Sequence, residues 1–340
     1  MSREALAALE SSTPNDQALD WAKGHIEQNV FSGLQRDLLA SLIDHFPRGE
    51  KSPYLEIPSL ILKGCGGETE LAVPLTALGS FLFLGFDIID DIADGDARDH
   101  WPDHTLSELQ LGSSLLLSAL PSILIAELNA PEAVRVEIQK RFANGLLETA
   151  AGQQMELAMT GKTEIDPQKV EDSVKKKSSG IATLASIAVL LAKATENQRV
   201  AYEEMGRNLG CAIQLATDFH DLFQAPVSRD LRNGTRTLPI ALCLEKCSKM
   251  ERRIFLKLLD DVQSNPSKKE EIRSFLYSKG IARMTAFIVE LYCERARKSL
   301  NLACLEATYQ KEIDTFINLV SFFKEKGGNH ELRIYRQTDR

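Results

Sequence analysis

The sequence is poor in the residues that break helices. It has 20 glycines and 12 prolines in 340 residues, below the roughly 12% of average usage. Runs of aromatic and β-branched residues bounded by turn formers are scarce as well, and aromatics make up only 6% of the chain, which disfavours a sheet-rich fold. Cysteine occurs at six dispersed positions, Cys65, Cys211, Cys243, Cys247, Cys293 and Cys304, with neither zinc spacing nor a dense disulfide frame. Reduced thiols in a cytoplasmic protein are therefore expected. No Lys/Arg-rich block exists among 40 basic and 48 acidic residues, and the net charge of −8 removes nucleic acid and anionic membrane as electrostatic partners. The N-terminus lacks an apolar signal-peptide core, so export is not expected. The nearest approach to a membrane span, Leu71 to Ile89, contains Pro74, Thr76, Ser80 and Asp87 and runs into five further aspartates by Asp99. It reads as a buried helix of a soluble protein, with no transmembrane segment. A protein this acidic needs cations between itself and any anionic substrate.

Apolar residues recur at helical spacing along most of the chain, with breaks at turn formers such as Gly64 to Gly67, Gly95 to Pro102, Gly161 to Pro167, Pro226 to Gly234 and Gly327 to Asn329. The stretches between them suffice for about ten helices. Start signals accompany some of them: Thr105 with Glu108 three residues on, and Asp166-Pro167. Neither a repeat nor a composition shift marks a boundary, so residues 1–340 read as a single all-α domain, a helical bundle with a central cavity. The segment from Ser264 to Arg340 reads as packing helices with a polar tail.

Two carboxylate clusters carry the chemistry. In the segment from Phe81 to Asp96, the residues Asp87, Asp90, Asp91 and Asp94 fall at helical spacings of three, four and seven and crowd one face of a helix near its C-terminal end. Mutual repulsion and the negative end of the helix dipole both disfavour them there, so a positive counterpart is required. Mg²⁺, a hard cation that prefers carboxylate oxygen, meets the requirement. The second cluster, Gln214, Asp218 and Asp221, ends another apolar helix. Facing each other across a bundle, the two would line a cavity suited to Mg²⁺ and a polyphosphate. A di-iron site would need Glu-x-x-His pairs, and none of the six histidines follows a glutamate at that spacing. His220, beside Asp221, is a lone alternative ligand, and nothing singles out His100 or His104.

The pattern resembles the trans-isoprenyl diphosphate synthase family, the polyprenyl synthetases of the class I isoprenoid synthase fold. Asp90-Asp91-Ile92-Ala93-Asp94 resembles the family's first aspartate-rich motif, and Gln214 to Asp221 its second, with Thr217 in place of one aspartate. Gly152 to Leu157, Lys177-Ser178-Ser179 and Asp230 to Pro239 resemble three further family segments, and the similarity is strongest over residues 50–240. The resemblance implies an all-α bundle, commonly a homodimer, acting on an allylic prenyl diphosphate. It further implies Mg²⁺ on Asp90, Asp94 and Asp218, with Asp91 and Asp221 as outer ligands or hydrogen-bond partners. Lys177, Arg98, Arg236 and Gln214 are the implied diphosphate contacts, and Phe81, Phe83, Phe86, Ile89, Leu184 and Ile213 the apolar walls. Phe86, one turn before Asp90, would limit a growing chain to short products, about C15 to C20 in family terms.

The resemblance has one gap. Members that condense with isopentenyl diphosphate carry a Gly-Gly-Lys-Arg-x-Arg-Pro segment upstream, where this chain has Arg48 to Pro58 with Leu55, Glu56 and Ile57 before the second proline. The downstream arginine pair is reduced to Arg98 followed by Asp99 and His100. Condensation with isopentenyl diphosphate is the leading expectation. Terpene cyclisation, prenyl transfer to another acceptor, and a catalytically silent regulatory subunit stand beside it.

Overall fold

The computed structural model describes residues 13–46, 48–49, 51–303 and 306–323, so Pro47, Glu50, Cys304, the Gly327 to Asn329 break and the polar tail lie outside the described residues. Seventeen α-helices, two single 3₁₀ turns and no strands make up the regular structure of the described residues, an all-α fold as the sequence indicates. The elements that build the site are α1 (Pro14–Asn29), α3 (Pro53–Gly64), α4 (Ala72–Asp94), α5 (Ala97–His100), α6 (Leu106–Leu117), α8 (Glu132–Met159), α9 (Pro167–Lys177), α10 (Gly180–Leu191), α11 (Glu196–Phe223), α12 (Arg229–Asn233), α16 (Ile281–Leu302) and α17 (Ala307–Val320).

Local chemistry sets the ends of these helices. Thr105 Oγ1 accepts from the Glu108 amide at 3.3 Å while Glu108 accepts from the Thr105 amide at 2.8 Å, a reciprocal box that starts α6. Asp166 caps α9 by accepting from the Gln168 amide, with Pro167 at the first helical position. Gly95, at φ 79°, ends α4 in the left-handed conformation that glycine adopts without steric cost.

Packing follows from apolar periodicity. Helix α4 lies against α1, α3 and α6, and α11 is held between α10 and α16. Phe81, Leu84 and Ile88 of α4 are essentially inaccessible to solvent, as are Ile181, Leu184 and Ile187 of α10. Each such burial contributes roughly 1.5–3 kcal/mol. Two stretches, Thr69–Asp94 and Leu106–Glu127, are long and apolar enough to cross a membrane by length and composition, but the first is 67% buried inside the fold. That matches its reading as a core helix. The five described cysteines are free thiols.

Candidate active site

A cavity of about 770 Å³ opens where the C-terminal part of α4 meets α8, α9, α11 and α17. Asp90, Asp91 and Asp94 stand on its wall together with Asp87. Asp90 accepts hydrogen bonds from Gln153 Nε2 at 2.7 Å and Lys177 Nζ at 2.8 Å, and Lys177 reaches Glu156 Oε1 at 2.8 Å. Burial works against the Lys177 charge, but Asp90 and Glu156 outweigh it and hold the ammonium well above the ordinary lysine range. Burial, reinforced by Asp90, pushes the Asp94 carboxyl up to about 7. Burial, then Asp91 and Asp90, push Asp87 up as well. This is the electrostatic signature of carboxylates gathered faster than the protein supplies cations.

Asp91 is committed differently. Its two oxygens accept from His100 Nδ1 and Trp101 Nε1, each at 2.7 Å. Arg229 Nη1 lies 2.6 Å from His100 Nε2. Because a guanidinium only donates, the geometry has Nε2 accepting from Arg229 and Nδ1 donating to Asp91. The Arg229 guanidinium also stands 3.5 Å from Asp96, a carboxylate shared with Arg232.

The second cluster divides in the same way. Gln214 and Thr217 line the cavity, and Gln214 Nε2 donates to Asp218 Oδ1 at 2.9 Å. Asp218 and Asp221 are buried and lie outside the cavity lining. Asp221 accepts from Ser228 Oγ, from the Arg229 amide at 3.1 Å and from the Asp230 amide at 3.3 Å, so it nucleates α12 and thereby aims Arg229. His220 is exposed.

Of the other sequence-predicted contacts, Lys177 and Gln214 are at the cavity and two arginines are elsewhere. Arg98 is exposed and off the lining. Arg236 is 3% exposed and donates to the carbonyls of Lys162 at 2.9 Å and Gly234 at 3.1 Å. Arg229, Glu156, Gln153, Asp96 and Asp230 are among the cavity residues that the sequence reading gave no role, and Asp87 is one it placed in the first carboxylate cluster without naming it a ligand. Asp87 was visible in the helical spacing, whereas nothing local announces Arg229.

The apolar walls include Phe83, Phe86, Ile89, Leu184 and Ile213. Phe81 does not contribute: two residues before Phe83, it points about 200° round the helix into the core, near the His25 ring at 6.3 Å. Tyr54 packs on Phe83 with ring centroids 4.4 Å apart, and Phe46 on Phe83 at 5.7 Å.

Close backbone approach positions Lys177. A Cβ on Gly152 of α8 would lie 2.2 Å from Lys177 N and 2.7 Å from its Cα, and Cβ atoms on Gly206 and Gly210 of α11 would lie 2.8 Å from Ala182 Cα and 2.3 Å from the Ser178 carbonyl oxygen. Three glycines on two helices thus clasp the junction that carries Lys177.

Among the described residues, no group of three or more His, Cys, Asp or Glu side chains forms a ready metal cage. The donor set nonetheless fits Mg²⁺ held on one or two carboxylates and completed by phosphate oxygen and water. Asp90 and Asp94 stand on the wall one turn apart, and burial, with the Asp90 charge beside it, pushes the Asp94 carboxyl up to about 7.

Helices enclosing a cavity that is carboxylate-rich on one side and aromatic on the other define a protein of the isoprenoid synthase fold class. Known proteins agree with this. The polyprenyl synthetase from Streptomyces coelicolor superposes with a TM-score of 0.78 at 18% identity, covering 91% of this chain and 97% of that one. Geranylgeranyl pyrophosphate synthase from Corynebacterium glutamicum, solved with isoprenyl diphosphate and magnesium, gives 0.75 at 15% identity over 91% and 99%. Geranylgeranyl diphosphate synthase from Sulfolobus acidocaldarius is 28% identical over 168 residues, 47% of this chain and 50% of that protein, so the match spans about half the length of this curated relative. The profile of the polyprenyl synthetase family matches residues 59–276, and the chain belongs to that family.

Proposed function

We propose that the protein is a Mg²⁺-dependent prenyltransferase that ionises an allylic prenyl diphosphate. The observation that carries this reading is the convergence of Asp90, Asp94 and Lys177 on one cavity that is also lined by Phe83, Phe86, Ile89, Leu184 and Ile213. Bound Mg²⁺ would neutralise charge growing on the departing diphosphate. Asp90 and Asp94 would hold it, while Asp218, buried off the cavity lining, orients Gln214 on the wall. Lys177 and Arg229 are preorganised donors for the leaving oxygens, already oriented by Glu156 and by His100. Phe83, Phe86, Leu184 and Ile213 exclude water and offer no nucleophile to a carbocation.

Isopentenyl diphosphate as acceptor and a product of about C15 to C20 are the finer reading, supported by the names of the relatives and by Phe86 on the wall one turn from Asp90. A second reading, transfer to another acceptor or cyclisation, is favoured by the placement of the arginines. Arg48 is tied to Asp20 at 2.8 Å and Asp44 at 3.5 Å, and Arg98 and Arg236 are off the cavity. Retention of the carboxylate cluster argues against a silent subunit. We further infer a homodimer, supported by Leu111 of α6 and Val136 and Leu147 of α8, at least half exposed in the single chain. A cytoplasmic location is supported by the free thiols.

The test is incubation with Mg²⁺ and dimethylallyl, geranyl, farnesyl or geranylgeranyl diphosphate, each with and without isopentenyl diphosphate. A longer diphosphate supports condensation, and a hydrocarbon or alcohol formed without the second substrate supports cyclisation or hydrolysis. No diphosphate release in any tube refutes the enzyme reading.

A further inference from the structure

A second concavity, of about 430 Å³, is lined by residues of α11 and α16 together with Lys175 from the last turn of α9. Lys175 and Lys177 are two residues apart and so point about 200° apart round the helix. Helix α9 thus turns Lys177 to the active cavity and Lys175 to this one. Arg207 and Cys211 stand one turn apart on α11, and Tyr292, Arg295 and Lys298 recur every third residue on α16, so one face of each helix supplies the lining.

Its charge is the reverse of the active cavity's. Among the described residues that line it, Lys175, Arg207, Arg295 and Lys298 face a single acid, Glu204, in a chain whose acids outnumber its bases 48 to 40. Two of the four cations have partners outside the lining: Lys175 has Glu171 at 3.0 Å and Asp172 at 3.5 Å, and Arg207 has Glu148. Arg295 and Lys298 form no ion pair among the described residues, because the acids nearest them along α16, Glu290 and Glu294, are both taken by Arg297.

Arg295 is nonetheless held in place. Its guanidinium lies 5.3 Å from the centroid of the Tyr292 ring, and the Tyr292 hydroxyl donates to Glu171, the carboxylate that also anchors Lys175. One acid on α9 therefore orders two of the cations before any ligand arrives, which lowers the entropy cost of binding. Cations gathered in this way repel one another, and a multivalent oxyanion relieves them. A guanidinium fork beside an ammonium is the donor set that phosphate oxygens select.

We propose that the seam between α11 and α16 is a second anion site, which takes a phosphate or diphosphate group on Arg295 and Lys298 with Lys175 and Arg207 flanking it. The site is independent of the prenyl-transfer reading, and no bond is made or broken there. Its ligand is either the free anion or the head group of a phosphorylated molecule.

The experiment is calorimetric titration of the full chain in chelator and low salt, with inorganic phosphate, inorganic diphosphate and geranyl diphosphate as separate probes. Chelator withholds the Mg²⁺ on which the proposed carboxylate site depends, and Lys177→Ala accounts for any diphosphate still drawn to the active cavity. Diphosphate is expected to bind more tightly than phosphate, and affinity should fall severalfold between about 20 and 200 mM salt. Arg295→Glu with Lys298→Glu should weaken binding about tenfold or more, and Arg295→Gln with Lys298→Gln, which only removes the charges, should weaken it in the same direction. Both positions are exposed, so melting should stay at the parental value. The exchange Arg295→Lys with Lys298→Arg keeps the charge and should hold affinity within about threefold, as should Lys177→Ala. Tighter binding of inorganic diphosphate than of geranyl diphosphate supports the free anion, and the opposite order supports a head group. No binding up to about 5 mM, equal affinity in the parent and both charge-removing pairs, or loss of binding in Lys177→Ala overturns the proposal and leaves the ionisation reading untouched.

Discussion

Gly152→Ala is the perturbation that the geometry defines most sharply. The new methyl would lie 2.2 Å from Lys177 N, 2.7 Å from Lys177 Cα and 2.8 Å from the Ser173 carbonyl oxygen, all backbone atoms that no rotamer change can move. Ordinary contact needs about 3.5 Å, so α8 and α9 must part by roughly 1 Å. Overpacking of this kind costs about 1–3 kcal/mol. At about 2–4 °C per kcal/mol for a chain of this order, melting should fall by roughly 2–12 °C. The kinetic effect should be larger, because the same shift withdraws Lys177 from its 2.8 Å contacts with Asp90 and Glu156. A misplacement of about 1 Å is worth up to ~10²-fold in rate. The assay pairs thermal melts with diphosphate release from an allylic substrate. Gly24→Ala is the internal control: it lies mid-helix in α1 with nothing within 4 Å, and should gain about 0.5–1 kcal/mol. A Gly152→Ala protein with parental melting and turnover would refute the close-approach argument.

Asp90→Ala should reduce diphosphate release by about 10²-fold or more, and full activity in that variant would sink the metal assignment. Arg229→Ala should raise the KM for the allylic diphosphate by ~10–100-fold, the equivalent of one lost charge-assisted contact, as read in initial rates. Phe86→Ala, by deepening the cavity, should lengthen any elongation product, checked by chromatography of the hydrolysed prenyl chains. For pH, the Asp94 carboxyl is raised to about 7 in the folded protein from 3.8. Protonation therefore favours the fold, and its contribution is complete below about pH 4 and lost as pH rises through 7. Metal-free protein should lose melting temperature across that window, while the Mg²⁺ concentration for half-maximal stabilisation should rise about tenfold from pH 8 to pH 6 as the ionised fraction falls. Melts with chelator or with Mg²⁺ would show both trends.

The all-α class and the two helices that end in acids were legible because their signals are local. Spacings of three, four and seven put Asp87, Asp90, Asp91 and Asp94 on one face of α4, and Thr105 with Glu108 marked the start of α6. What escaped depends on chain segments far apart in sequence. Arg229 joins the site through His100 and Asp96, neither of them near it in the chain. The demand on Asp221 comes from the backbone of the loop after it, so a motif aspartate that looks free in sequence is spent on starting α12. Arg236 sits within a family-like segment, yet its guanidinium is drawn to the carbonyls of Lys162 and Gly234, a preference that no spacing rule encodes.

The hydrogen bonds that tie the carboxylates together also say when the site comes into being. Gln153 and Lys177 reach Asp90 across 63 and 87 residues, and Arg229 reaches His100 across 129. Closing loops of that length is entropically costly and slow, so these contacts belong to the last stages of assembly. A nascent chain that has made α4 but not α11 holds a bare acidic helix end with no counterpart. On the proposed reading, Mg²⁺ binding would report completed folding, and the ion would stabilise only molecules in which the distant halves of the chain have already met.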